Sequence, residues 1–177
     1  MAGILTYALH YDGAFNKNSL GAVAEAAKLA AELGTQADVL VLGDEMTDEL
    51  AATLGGYGAS TVYKVPGPEG LAQPVVDAMA QVMTDEGHDY AIFGGGLLGF
   101  EIGAGLAARL NAGVTMEVTN VVVEDGKLVA ERPMLGDSSI STSRYRERGI
   151  IIGRLNAFEI RPADGATASV EDVDVEL

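Results

Sequence analysis

The sequence predicts a three-layer α/β domain, a parallel sheet with helices on both faces, extended by antiparallel strands toward the C-terminus. Three observations carry that prediction. Short apolar runs alternate with helical repeats through residues 4–111. Beyond them the helical repeats stop, and strand-like segments punctuated by turn dipeptides follow. The composition is rich in glycine (23 residues) and poor in aromatics (6%), which suits helices lying close on a sheet.

ILTYALHY (4–11) is rich in strand formers and stops at Asp12-Gly13, a turn dipeptide. Asn18-Ser19 offers a cap before LGAVAEAAKLAAEL, in which Leu20, Val23, Ala27, Ala30 and Leu33 recur at helical spacing. Gly34 then stands where a left-handed residue closes a helix. VLVL (39–42), apolar throughout, fits a parallel strand covered on both faces. A helix over 47–55, a strand over 60–65, the break at Pro66-Gly67-Pro68 and a helix over 69–84 come next. The strand YAIF (90–93), a glycine-rich turn and a helix over 99–111 complete four βα units, to be joined by right-handed crossovers.

After Asn111-Ala112-Gly113 the pattern changes. VTMEVTNVVVEDGKLVAERP reads as two strands around Glu124-Asp125-Gly126, a hairpin turn. SSISTSRY and RGIIIGRL read as a second strand pair turning near Arg146-Glu147. From Pro162 the chain is acidic with small residues, so residues 1–161 are expected to form the domain and 162–177 an acidic linker or terminal strand.

Eleven Lys and Arg against 26 Asp and Glu give a net charge of −15 over 177 residues. That argues against nucleic acid, whose phosphates need a positive surface, and against anionic membranes. With no cysteine, disulfides, thiolate zinc sites, iron–sulfur clusters and cysteine nucleophiles are excluded within this chain. Two histidines, His10 and His88, are too few for a histidine metal site, and no metal is expected. No apolar run approaches the ~20 residues that span a bilayer. MAGILTYALHYDG lacks a basic segment followed by a long apolar run, so the expected address is the cytoplasm.

The charge is uneven. Residues 1–108 carry three basic and 14 acidic side chains, residues 109–177 eight and 12. Within 132–161 the sign reverses, with Arg132, Arg144, Arg146, Arg148, Arg154 and Arg161 against Asp137, Glu147 and Glu159. Two readings stand: solvated strand edges, or a contact surface for an acidic partner or anionic ligand, with Arg132, Arg144, Arg146, Arg148 and Arg154 as its candidates.

Chemistry-bearing motifs are thin. Gly94-Gly95-Gly96-Leu97-Leu98-Gly99 matches G-x-G-x-x-G between a strand and a helix, with Glu117 as a candidate ribose-binding acid. Gly94, Gly95, Gly96 and Gly99 suit a sharp strand-to-helix turn, or an anion or mononucleotide at a helix N-terminus. A dinucleotide fingerprint belongs on the first βα unit, not the fourth. The hydroxyls of Ser138, Ser139, Ser141, Thr142 and Ser143 have no identifiable base beside them. His10 ends the first strand, His88 sits in a solvated loop, and Asp48-Glu49 and Asp85-Glu86 read as helix-end charges. No catalytic residue is assigned, and the chain is not expected to be an enzyme.

Taken together, YAIFGGG, LGFEIGAGLAARLNAG, VTMEVTNVVVEDGKLVAERP and IIIGRLNAFE, within residues 90–159, carry a family order. It is a strand, a turn, a helix ending in AARL, a hairpin, an RP segment and a strand ending R-x-x-AF. ILTYALHYDG, NSLGAVAEAAKLAAEL and DVLVLG fit in order and length ahead of them. The chain resembles the N-terminal domain of the electron transfer flavoprotein α subunit, including the FixB-type proteins. It departs from the family's usual RPIYAGNA, reading Arg132-Pro133-Met134-Leu135-Gly136-Asp137-Ser138-Ser139.

The resemblance implies a Rossmann-like fold, similar to adenine-nucleotide alpha-hydrolase-like domains. It also implies a heterodimer with a β subunit of similar fold, carrying electrons from flavin dehydrogenases to an acceptor. FAD would be held mainly by a C-terminal domain outside this chain, so no cofactor residue is carried over and none is expected to bind the isolated chain. The role implied is scaffolding; the alternative is a free-standing adenine-nucleotide-binding module.

Overall fold

The computed structural model describes residues 3–164 and 166–176. The chain enters through β1 (Gly3–Tyr7) and a tiny hairpin, β2 (His10–Tyr11) and β3 (Ala14–Phe15), before helix α1 (Lys17–Leu33). It continues through β4 (Ala37–Leu42), α2 (Asp48–Ala52) with a tighter turn over Thr53–Tyr57, β5 (Thr61–Val65), α3 (Ala72–Glu86), β6 (His88–Phe93) and α4 (Leu97–Leu110). Then come β7 (Gly113–Val118), β8 (Asn120–Glu124), β9 (Lys127–Met134), β10 (Ser139–Arg144), β11 (Gly149–Gly153) and β12 (Ser169–Asp172).

Seven strands form one sheet in the order β12-β5-β4-β1-β6-β11-β7. Every pairing in it is parallel. Alternate residues of these strands face opposite layers. Leu5, Leu40, Leu42, Phe93, Ile150 and Ile152 pack with α3 and α4. Ile4, Ile92 and Ile151 pack with α1, and Val39, Val41 and Val62 with the α1–α2 side. Because both faces are covered, the strands read as unbroken apolar runs. Strands β8, β9 and β10 form a separate antiparallel arm, turned at Asp125-Gly126 with both residues left-handed (φ 51° and 72°).

The strand pair expected between SSISTSRY and RGIIIGRL does not form. β10 pairs with β9, while β11 lies between β6 and β7 in the main sheet. Burial decides this: all five residues of GIIIG are buried, which a half-solvated hairpin strand does not allow. The segment VTMEV…AERP likewise holds three strands, not two. Glu117 adopts a left-handed φ of 56° at the end of β7, and the Thr119 amide donates to Glu131, so the chain leaves the main sheet for the arm.

The cap of α1 is Asn16, whose side-chain oxygen accepts from the amides of Asn18 (2.9 Å) and Ser19 (3.3 Å). The expected cap pair serves longer-range ties. The Ser19 hydroxyl accepts from the Leu9 amide (3.1 Å), and the Asn18 Oδ1 from the Asn156 amide (2.7 Å). Gly34 closes the helix in a left-handed conformation, as expected (φ 69°).

His88 is not a solvated loop residue. It opens β6 and is 2% exposed, with Nε2 2.8 Å from Asp38 Oδ2. Asp38 Oδ1 accepts from the Thr61 amide (3.1 Å). One carboxylate therefore ties the amino ends of β4, β5 and β6. Beyond residue 161, β12 pairs with the outer side of β5, and Lys64 bridges Asp48 and Asp172 beside it. Among the described residues no helix is long and apolar enough to cross a membrane.

Asp38→Ala strands the Thr61 amide and the His88 ring in a buried setting. It is expected to lower stability by about 3 kcal/mol, read from urea unfolding followed by circular dichroism. An unchanged midpoint would show that this tie is dispensable.

Candidate functional site

From β1 the chain winds outward through β4 to β5, whereas beyond β6 the sheet grows the other way to β11 and β7. The carboxyl ends of β1 and β6 therefore part at a topological switch point, the usual place for a ligand crevice in such sheets. A cleft of about 340 Å³ opens there. Tyr7, Leu9 and Tyr11 form one wall, Phe93 and the run Gly94–Gly99 the other, and Asn16, Asn18 and Ser19 come from the start of α1. The glycine run and the loop after β1 thus meet in one place.

Packing accounts for the first two glycines. A Cβ on Gly94 would overlap the Asn18 carbonyl, and one on Gly95 the Leu155 backbone. Gly96 is needed for conformation instead: its φ is 138°, with open space beside it. The turn also presents the first residues of α4 to the cleft, where helix amides have no partner within the helix. No side chain caps that end.

The cleft is electrically quiet. No Asp, Glu, Lys, Arg or His lines it among the described residues. Burial, with Tyr11 and Glu69 nearby, pushes the Tyr7 phenol up to about 12. The side-chain oxygens of Asn16, Asn18 and Ser19 already accept backbone amides. The cleft therefore offers shape, aromatic surface and helix amides, with no side chain poised to exchange a proton near neutrality.

The other sequence candidates lie elsewhere. His10 is buried and its Nε2 donates to the Leu42 carbonyl (3.0 Å), edge-on to Phe15, which is a structural role. Glu117 faces Arg154 (3.2 Å), away from the cleft. Ser138, Ser139 and Thr142 are exposed around β10, while Ser141 and Ser143 line a groove beside β7. Among the described residues no group of three or more His, Cys, Asp or Glu side chains is placed to hold a metal.

The five candidate arginines divide among three places. Arg144, Arg146 and Arg148 line a cleft of about 400 Å³; there Arg144 pairs with Glu124, and Arg148 donates to the Met83 carbonyl (3.4 Å). Arg154 lies between Glu117 and Asp137. Arg132 lines the groove with Ser141 and Ser143. Sequence reasoning missed an apolar rim near the switch point: Tyr11, Leu97, Phe100 and Leu155 are all exposed, Leu97 at 92%. Helical spacing carries part of that signal, since Leu97 and Phe100 fall outside the Leu98–Ile102–Leu106 core stripe.

A family model described as the electron transfer flavoprotein domain matches residues 4–177. The chain belongs to this family. Protein FixB of Clostridium saccharobutylicum is 31% identical over 183 residues, covering 99% of this chain and 54% of that protein. An electron transfer flavoprotein subunit alpha of Clostridium acetobutylicum is 28% identical, covering 97% and 53%. An acryloyl-CoA reductase electron transfer subunit beta of Anaerotignum propionicum is 35% identical over 111 residues, 60% of this chain and 30% of that protein. The chain spans about half the length of the first two relatives. In this electron transfer flavoprotein domain the β1–β6 cleft and the arm are the features to be assigned a role.

Gly95→Ala is expected to cost about 1–3 kcal/mol, the overpacking scale, because backbone opposes the added methyl; chemical denaturation measures it. Burial pushes the Tyr145 phenol, like that of Tyr7, up to about 12. Tyrosine ionises near 10 in the unfolded chain. The contribution of these two phenols to stability is therefore intact below about pH 10 and lost as pH rises through about 12. Tyr63 is pushed up as well, by burial and by the nearby carboxylates of Asp38, Glu86 and Glu171, so an ultraviolet titration should find three of the six tyrosines ionising late; six normal titrations would contradict this.

Proposed function

We propose that this chain is the scaffold domain of an electron transfer flavoprotein α subunit. It pairs with a β subunit of similar fold and supports a flavin domain lying outside this chain, within a complex that passes electrons from a flavin dehydrogenase to an acceptor. The observation that carries the reading is the family match along residues 4–177, joined to a switch-point cleft lined, among the described residues, by no Asp, Glu, His, Lys or Arg. A domain of this kind presents surfaces; it does not carry out chemistry. FAD sits mainly on the other domain, and the cytoplasm is the setting that fits the composition.

The test mixes the purified chain with its cognate β subunit and measures mass by light scattering. The expected result is a one-to-one complex, from a chain that is colourless alone. Two species that never associate at micromolar concentration would overturn the reading.

A second reading, an adenine-nucleotide module, draws on the position of the cleft at the switch point and on the uncapped start of α4. The scaffold reading expects no heat when AMP, ADP or ATP is titrated to millimolar concentration. Saturable heat that Gly96→Ala removes would favour the nucleotide.

A further inference from the structure

Arg132 carries the one arginine nitrogen among the described residues that is buried with no hydrogen-bond partner. Arg144, Arg154 and Arg161 each have a carboxylate within reach. The Nε of Arg132 is buried with no acceptor among the described residues. A guanidinium carries five N–H donors and no acceptor, and leaving a buried one unmatched is costly. Its neighbour Glu131 is on the opposite face of β9, where it accepts from Asn120 (2.9 Å).

The side chain lies in a groove of about 420 Å³ between β7 and the arm. Ser141 stands directly across from Arg132 in the β9–β10 register, so the two share a face, and Ser143 follows two residues on. The buried Thr115 hydroxyl on β7 already accepts from Tyr145 (2.7 Å) and has its own proton left to donate. One guanidinium and the side chains of Ser141 and Ser143 therefore share a face of a groove that no carboxylate lines among the described residues. Planar, bidentate recognition of a carboxylate is what that donor set fits.

Two features point to a polypeptide as the source of the carboxylate. β7 is a terminal strand of the sheet, so one row of its backbone groups is open to an added strand. Val114 and Met134, which line the same groove as Arg132, are 47% and 43% exposed, an apolar margin of the kind that side chains of an extended segment cover.

We propose that an extended segment of the β subunit docks along β7 and places an Asp or Glu carboxylate against Arg132, Ser141 and Ser143. This rests on the scaffold reading. Arg132 is then an anchor for association, with no part in holding the free domain together.

The affinity of the chain for its β subunit, measured by calorimetry for the unmodified protein, R132Q, R132K and R144Q, tests this. R132Q is expected to weaken binding at least about tenfold, and R132K nearly as much because an ammonium lacks the planar fork. R144Q, whose partner is Glu124 of the same arm, should stay within about twofold of the unmodified chain. The thermal midpoint of free R132M should equal or exceed that of the unmodified chain, since an unpaired buried cation has been replaced by an apolar side chain.

R132Q binding with unchanged affinity, or R132M melting well below the unmodified chain, would overturn the anchor while leaving the scaffold reading intact. Saturable heat from succinate on the isolated chain, abolished in R132Q, would assign the groove to a small carboxylate and overturn docking. Failure of the unmodified chain to bind the β subunit would remove both.

Discussion

A parallel sheet must be dry on both faces, and in this chain that requirement governs the rest. The central strands β1, β4, β5, β6 and β11 spend alternate side chains on opposite layers, so few positions in the middle of the fold can carry chemistry. The helices that cover the sheet do so with small residues: Ala22 and Ala26 of α1 are completely buried against it. Close layers are the reason the domain manages with four phenylalanines and no tryptophan. The main polar exception is the Asp38–His88 pair, and it lies at the amino edge, where it fastens strands to one another.

Function is thereby displaced to the ends and edges of the sheet. At the carboxyl ends, the switch point between β1 and β6 opens a cleft whose polar atoms are largely engaged in holding α1 and the loop around Asn156. At the far edge, β7 and the β8–β10 arm leave an open strand, exposed apolar side chains and an unmatched guanidinium. The contrast between the two regions is chemical. In one the polar side chains are engaged within the chain; the other holds a guanidinium nitrogen without an acceptor.

The sequence was most legible where local signals and burial agree. The runs around 39–42 and 90–93, the Gly34 cap and the Asp125-Gly126 turn are all where their residues place them. It was least legible where tertiary pairing chooses among strands. GIIIG has the same local propensity as a hairpin strand and as a central one, and its burial on both sides is set by β6 and β7. His88 was misread because its partner, Asp38, lies 50 residues away. The glycine run was legible as a turn, and its meeting with the loop after β1 follows from strand order. The groove at Arg132 was not legible as a site: the excess of arginine over 132–161 is visible in sequence, but which guanidinium buries a nitrogen without an acceptor is set by the tertiary placement of β9 and β10 beside β7.

In the arrangement proposed above, the domain meets its partner through the β7 edge and the arm, while the β1–β6 cleft is structural. Hydrogen–deuterium exchange on the chain alone, with its β subunit, and with AMP tests that arrangement most directly. Slowed exchange in β7, β9 and β10 on adding the β subunit, with residues 94–99 unchanged by AMP, is the predicted pattern. Protection of residues 94–99 by AMP, with β7 and the arm exchanging as in the free chain whatever is added, would contradict it.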